Sequence, residues 1–240
     1  MERYQTDAPE QTARRAACER PACPQRHLLG SSLGRAEARS TGKLWTTYDL
    51  LQSLRSLAAA VVWDRIIEAL AAAHDATVQM IDTSVVRVHQ HGACIAGNRK
   101  QHIGRSRGGL TGKVHSVVDA NGLPVRLGLT PGEAHDNRLC RLLLDGLRPR
   151  TMLLADRGYD ADWIRALVNQ QGAWANIPPK QDRKGLICFS PYLYWARNLV
   201  KRFFNKIKQR RRIATRYDKI AANYLAFINL ASIRLWLRAL

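Results

Sequence analysis

The chain has 240 residues, 46% of them apolar, and a formal net charge of +19 at neutral pH. That apolar share can fill the core of one large domain and excludes a disordered polypeptide, while so positive a charge points to a polyanionic partner. Between Lys180 and Lys219, thirteen Lys and Arg stand against two Asp, which favours nucleic acid over a membrane surface or an ordinary solvated face. Cys18, Cys23, Cys94, Cys140 and Cys188 are an odd number without paired spacing. They suit a reducing compartment and speak against a zinc site. With no signal-peptide pattern and no run of membrane-spanning length, the expectation is a soluble cytoplasmic protein without a membrane partner.

Residues 1 to about 43 show neither a helical stripe nor strand alternation. We therefore expect an irregular, poorly ordered extension over 1–60 and a folded domain over 61–240. From Leu44 to Ala73 the pattern is helical, with Leu50, Leu51, Leu54, Leu57, Val61, Val62, Ile66, Ile67 and Leu70 on an apolar stripe. Thr77 to Val88 reads as a strand interrupted by Asp82. A carboxylate there is costly unless it is paired with a cation such as a nearby Arg or binds a metal. His89 to Thr111 is a Gly-, Arg- and His-rich connection carrying Arg99, Lys100, Arg105 and Arg107. Its Gly108-Gly-Leu-Thr-Gly112-Lys113 run has the wrong spacing for a phosphate loop, and its histidines are commoner as phosphate or solvent contacts than as a metal cluster.

Val114–Asp119 and Leu123–Leu129 flank Asn121-Gly122, a hairpin signal, with Thr130-Pro131-Gly132 ending the hairpin. Asp136 is expected to cap a helix through about Leu147. Met152–Ala155 is a short buried strand leading into Asp156. Asp160 is expected to cap a helix through Gln171, and Ala173–Ile177 is a further strand. A basic loop to Ser190 follows, then a helix over Tyr192–Arg212 and a second over Tyr217–Leu240. The order implies an α/β fold, a mixed sheet flanked by helices. Asp82 and Asp156 then fall on strands that a right-handed crossover makes neighbours.

The Tyr192–Arg212 helix carries Tyr194, Arg197, Lys201, Asn205 and Lys208 on one expected face, with Leu199, Val200, Phe203, Phe204 and Ile207 on the opposite one. The Tyr194, Arg197, Lys201, Lys208 spacing resembles the Y-x2-R-x3-E-x6-K signature of bacterial insertion-sequence transposases of the DDE type. Ile81-Asp-Thr-Ser-Val-Val-Arg-Val-His-Gln90, Ala155-Asp-Arg-Gly-Tyr-Asp160 and Arg211-Arg-Ile-Ala-Thr-Arg-Tyr-Asp-Lys219 resemble the same family, so the likeness spans Val62 to Leu240.

The resemblance implies a ribonuclease-H-like catalytic domain that cuts and joins DNA at element ends, with Asp82 and Asp156 as catalytic carboxylates and metal ligands. It implies Mg²⁺, with Mn²⁺ as a substitute, because paired hard oxygen ligands can hold ions that activate the attacking oxygen and stabilise the leaving one. Tyr194, Arg197 and Lys208 would serve DNA-end phosphates and the site's geometry, and Arg202, Arg210, Arg211 and Arg212 are further candidate DNA contacts. The partners implied are double-stranded DNA and further copies of the chain assembled on it.

Two departures qualify this. Lys201 stands where the family has its glutamate, and an ammonium cannot ligate a metal ion, so a catalytically defective copy is expected. The change to family-like sequence near Val62 also replaces the usual helical DNA-binding region, which leads us to expect a truncated, fused or frame-shifted beginning. Three other readings compete. One is a non-catalytic DNA binder that occupies element ends or regulates transposition. The others are a basic RNA-associated protein and a metal-dependent nuclease without a transfer step.

Overall fold

The computed structural model describes residues 62–73, 75–93 and 97–239. The expected irregular segment over 1–60, and the part of the apolar helix before Val62, lie outside those residues. The described part of that helix, α1 (Val62–Ala72), buries Ile67 and Ala71. Val62 and Ile66 are exposed instead of lying on the buried stripe.

A mixed seven-stranded sheet forms around β1 (Val78–Val88). On one side β1 pairs antiparallel with β3 (Gly109–Val118), which pairs antiparallel with β4 (Pro124–Pro131). On the other side β1 runs parallel to β5 (Met152–Leu154), and β5 runs parallel to β6 (Trp174–Asn176). The β3–β4 turn is built as its sequence suggests: Asp119 accepts the N–H groups of Asn121 and Leu123 at 2.9 and 2.8 Å, and Gly122 takes φ +77°. Strand β4 continues through Thr130 and Pro131, so the hairpin ends later than expected. The connection after β1 is also more ordered than expected, because β2 (Gly104–Ser106) folds back on the start of β3.

Alternation along the strands feeds two apolar layers. Met80, Val86, Val114 and Leu154 pack with Val200, Phe203, Phe204 and Ile207 of the signature helix, and with Tyr224 and Ile228 of α7 (Ala221–Trp236). Ile81, Val117 and Leu153 pack on the other face, against Leu143 of α2 (Cys140–Leu143) and against Ile164 and Val168 of α3 (Asp162–Gln170). The arrangement is the ribonuclease-H-like mixed sheet flanked by helices. The expected helix from Asp136 to Leu147 is a 3-10 turn, Asp136–Leu139, followed by the single α-helical turn of α2. His135 caps it, accepting the Asn137 N–H. Asp136 is engaged elsewhere, at 2.8 Å from Lys113 Nζ.

Asp160 is likewise not a cap. The residue at the α3 N-cap position is Ala161. The Asp160 carboxylate is fully buried between Arg165 and Arg183, each at 2.8 Å, and accepts the Lys180 N–H at 2.8 Å. It thereby ties the 178–190 loop to the domain. Burial pushes this carboxyl up, but the Arg183 and Lys180 hydrogen bonds and Arg165 outweigh it and hold it at about 2. Because the folded value lies below the unfolded one, the stabilisation is complete above about pH 4 and is lost as pH falls toward 2. Asp160→Asn should cost on the order of 3 kcal/mol at pH 7. Denaturant melts at pH 7, 4 and 2.5 should show the deficit closing at acid pH; a deficit of equal size at all three would sink the electrostatic account.

The segment Arg211–Lys219 forms a corner of the fold. Here α6 (Arg211–Ala214) leads into β7 (Thr215–Arg216), which runs parallel to the end of β1. Arg216 is buried, donating to the Asp218 and Lys219 carbonyls at 2.8 and 3.1 Å and lying 5.3 Å over the Tyr224 ring.

Candidate nucleic-acid site

The parallel β1–β5 register, Met80 opposite Leu154, sets the site. Asp82 and Asp156 each lie two residues beyond that pair, so alternation turns both toward the face occupied by the signature helix. Asp82 is buried and Asp156 is half-buried. Asp156 Oδ1 also accepts the Gly158 N–H at 2.9 Å and caps the 3-10 turn Arg157–Tyr159. This is where an α/β sheet offers a cleft, beyond the carboxyl ends of its parallel strands.

The signature helix crosses that cleft in three sections: α4 (Pro191–Tyr194), a 3-10 turn over Trp195–Arg197, and α5 (Asn198–Lys208). Ser190 caps it by accepting the Leu193 N–H, with Pro191 as first helical residue, a position that costs no hydrogen bond. Val200, Phe203, Phe204 and Ile207 are buried as their spacing predicts. The expected opposition of basic and apolar faces fails for Arg197 and Lys208. At 100° per residue both lie beside Phe204 on the seam between the faces, which turns them toward β1.

Arg197 is buried, and its Nη2 lies 2.8 Å from Asp82 Oδ2 and 3.2 Å from Asp156 Oδ2. Its Nη1 donates to the Tyr194 hydroxyl at 3.3 Å, while its buried Nε has no partner. Lys208 donates to Ser84 Oγ at 2.6 Å and to the Val85 carbonyl at 2.9 Å, and burial lowers its pKa. Burial raises the Asp82 carboxyl above the usual carboxylate range, against the opposing pull of Arg197 and, more weakly, of Lys201. Lys201 is exposed and lines a cleft of about 990 Å³ with Asp156, Arg157, Phe189, Tyr194 and Arg197.

The remaining predicted contacts are spread along the helix and beyond its end. Arg202 and Arg211 are exposed and Arg210 is half-buried. Arg212 pairs with Asp218 at 3.2 Å and lies 4.3 Å over the Phe227 ring. Arg157 joins the cleft without having been singled out as a site residue; its place directly after Asp156 was the available signal. The rings of His89 and His91 contact each other, and His89 also contacts Tyr217. His115 is fully buried, with Nε2 2.7 Å from Thr130 Oγ1, and burial lowers its pKa to about 4. It is a neutral core group.

An aspartate inside β1 and another just past its parallel neighbour β5, crossed by a basic helix in a ribonuclease-H-like sheet, form a site of the kind that suits nucleic-acid phosphates. Comparison with known proteins narrows this. The family described as the transposase DDE domain matches residues 73–236. A putative transposase for insertion sequence element IS6501 of Brucella ovis is 39% identical over 130 residues, which are 54% of this chain and 100% of that protein. The chain belongs to the DDE transposase family. Among solved structures, the catalytic core domain of BIV integrase aligns at TM-score 0.39 and 16% identity, over 69% of this chain and 96% of that one. A pre-cleavage Mos1 transpososome aligns at TM-score 0.30 and 10% identity, over 87% and 66%. Likenesses this slight place no residue.

DDE transposases work with a divalent metal, and the residues present here do not fit one well. The space between Asp82 and Asp156 is bridged by the Arg197 guanidinium. Lys201 presents an ammonium on the same cleft, and an ammonium cannot ligate a metal ion. Among the described residues no group of three His, Cys, Asp or Glu side chains is placed to hold a metal ion. Two carboxylates, one guanidinium and one ammonium already sum to zero charge, and Arg157 on the same cleft makes the balance positive. No helix among the described residues is long and apolar enough to cross a membrane.

Proposed function

We propose that this chain binds double-stranded DNA as an insertion-sequence transposase does, at element ends, and is severely impaired in cutting it. An intact member would perform Mg²⁺-dependent hydrolysis at the ends and then transesterification into target DNA, using both aspartates and a helix-borne glutamate. The observation that carries the reading is Lys201 lining the same cleft as Asp156 and Arg197. The cleft keeps the groups that hold phosphate and lacks the third acid. Asp82 and Asp156 stay as the positions of the first two catalytic carboxylates. Tyr194, Arg197 and Lys208 shape the cleft, and Arg202, Arg210, Arg211 and Arg212 supply positive charge around it. Assembly as a homo-oligomer on DNA and residence in a bacterial cytoplasm belong to the same reading.

The test uses the full chain and a supercoiled plasmid carrying its gene with the native flanking DNA, incubated with Mg²⁺ or Mn²⁺. The expected result is salt-sensitive DNA binding with no nicking or joining above background. Nicking and joining at the rate of an intact relative would overturn the impairment. Nicking without joined products would instead favour a nuclease.

A further inference from the structure

We infer that the β2–β3 ribbon, residues 104–111, is a second DNA-binding element that grips duplex phosphates outside the carboxylate cleft. This rests on the DNA-binding reading above and extends it to a part of the fold that the signature residues do not reach.

The segment from Thr83 to Val118 contains no Asp or Glu but includes Arg87, Arg99, Lys100, Arg105, Arg107 and Lys113. Two of these cations are engaged from outside it, Lys113 by Asp136 at 2.8 Å and Arg99 by Glu133 at 3.9 Å. Arg105 and Arg107 are exposed, and among the described residues no acid pairs with them. They alternate along β2 and its tip, the spacing that points two side chains of a strand the same way.

The ribbon is held in place before any ligand arrives. Gly104 pairs with Thr111 and Ser106 with Gly109. The Ser106 hydroxyl accepts the Gly108 N–H at 3.3 Å, and Gly109 closes the turn at φ +94°. At its base, buried Arg216 donates to the His102 carbonyl at 3.5 Å. A cation on such a frame loses little freedom on binding, which favours contact.

The register also sets its position. Asp82 lies opposite Ser116, and Arg105 lies opposite Leu110 on the same strand and the same sheet face. Six residues of β3 separate those levels, about 20 Å along the strand. That spans about six base pairs of duplex, far enough to touch DNA the cleft does not. Contacts to phosphates contribute affinity and orientation and carry no sequence information of their own.

The experiment measures binding of the full chain to a duplex of about 30 base pairs across a salt series, for the unaltered chain, Arg105→Ser/Arg107→Ser, and the charge-matched control Arg234→Ser/Arg238→Ser at the end of α7. Each phosphate contact contributes about 0.9 to the slope of log affinity against log salt. The ribbon variant should lose roughly two units of slope and about tenfold or more in affinity near 0.15 M salt, with an unchanged melting temperature. The control should keep the parent slope. An unchanged slope in the ribbon variant, or an equal loss in the control, overturns the ribbon assignment and leaves the DNA-binding reading intact. Absence of salt-dependent binding by the unaltered chain overturns that reading itself.

Discussion

Replacing Lys201 by Glu is expected to raise Mn²⁺ affinity about a hundredfold or more, because the change alters the charge facing the cleft by two units. In the unaltered chain, Arg197 and Lys201 cancel Asp82 and Asp156, and Arg157 on the same cleft adds a further positive charge, so no net negative charge attracts a cation. A unit charge about 5 Å from a divalent ion contributes several kcal/mol at an effective dielectric near 20. Even after screening by solvent, removing a repulsion and adding an attraction should register clearly. The glutamate also supplies a hard oxygen ligand from the helix. Isothermal titration of the full chain, of Lys201→Glu and of Lys201→Glu/Asp82→Ala decides the matter. A gain in the first variant that disappears in the second locates the ion at the carboxylates. If Lys201→Glu binds no better than its parent, Lys201 is not what keeps the ion out. Arg197, seated between the two aspartates, would then be the stronger obstacle.

The second large effect concerns that arginine. Arg197→Gln should destabilise the chain by about 3–5 kcal/mol at pH 7, because it leaves a buried carboxylate beside a second one with no compensating cation. For a domain of this size that corresponds to a melting temperature roughly 10 °C lower. The sign of the pH dependence follows from Asp82. Burial already raises its carboxyl in the folded chain, and loss of Arg197 raises it further. The folded state then holds the proton more tightly than the unfolded state does. Its stabilisation is full below the unfolded value near 3.9 and falls as pH rises through the folded value. The deficit of Arg197→Gln should therefore be larger at pH 7 than at pH 4.5 in denaturant melts. A deficit independent of pH would mean that Arg197 acts through packing alone.

The local patterns were legible where neighbours in sequence decide the outcome. The Asn121-Gly122 hairpin, the buried Val200, Phe203, Phe204 and Ile207 of the signature helix, and strand β1 with a carboxylate inside it all follow from short-range geometry and alternation. Even the meeting of Asp82 with Asp156 was foreseeable, because two parallel strands joined by a crossover bring their carboxyl ends together.

The errors occurred where a polar side chain had to choose between a local and a distant partner. Asp136 opens a 3-10 turn and Asp160 shortly precedes α3, and their residue type suits a cap. Asp136 is taken instead by Lys113, and Asp160 by Arg165 and Arg183, since a charged partner in a half-buried or buried setting outweighs one neutral backbone N–H. Short β2 escaped notice because three residues among glycines and arginines carry no alternation of their own.

Which residue stands at which spacing was enough to reveal the family, the excess of positive charge and a carboxylate inside the first strand. That Arg197 turns inward to bridge the aspartates while Lys201, four residues on, stays exposed came from long-range packing. That choice depends on where the sheet lies beneath the helix. It also requires enough negative charge from two separate strands to offset the desolvation of a guanidinium, and that charge comes together only when β1 and β5 pair.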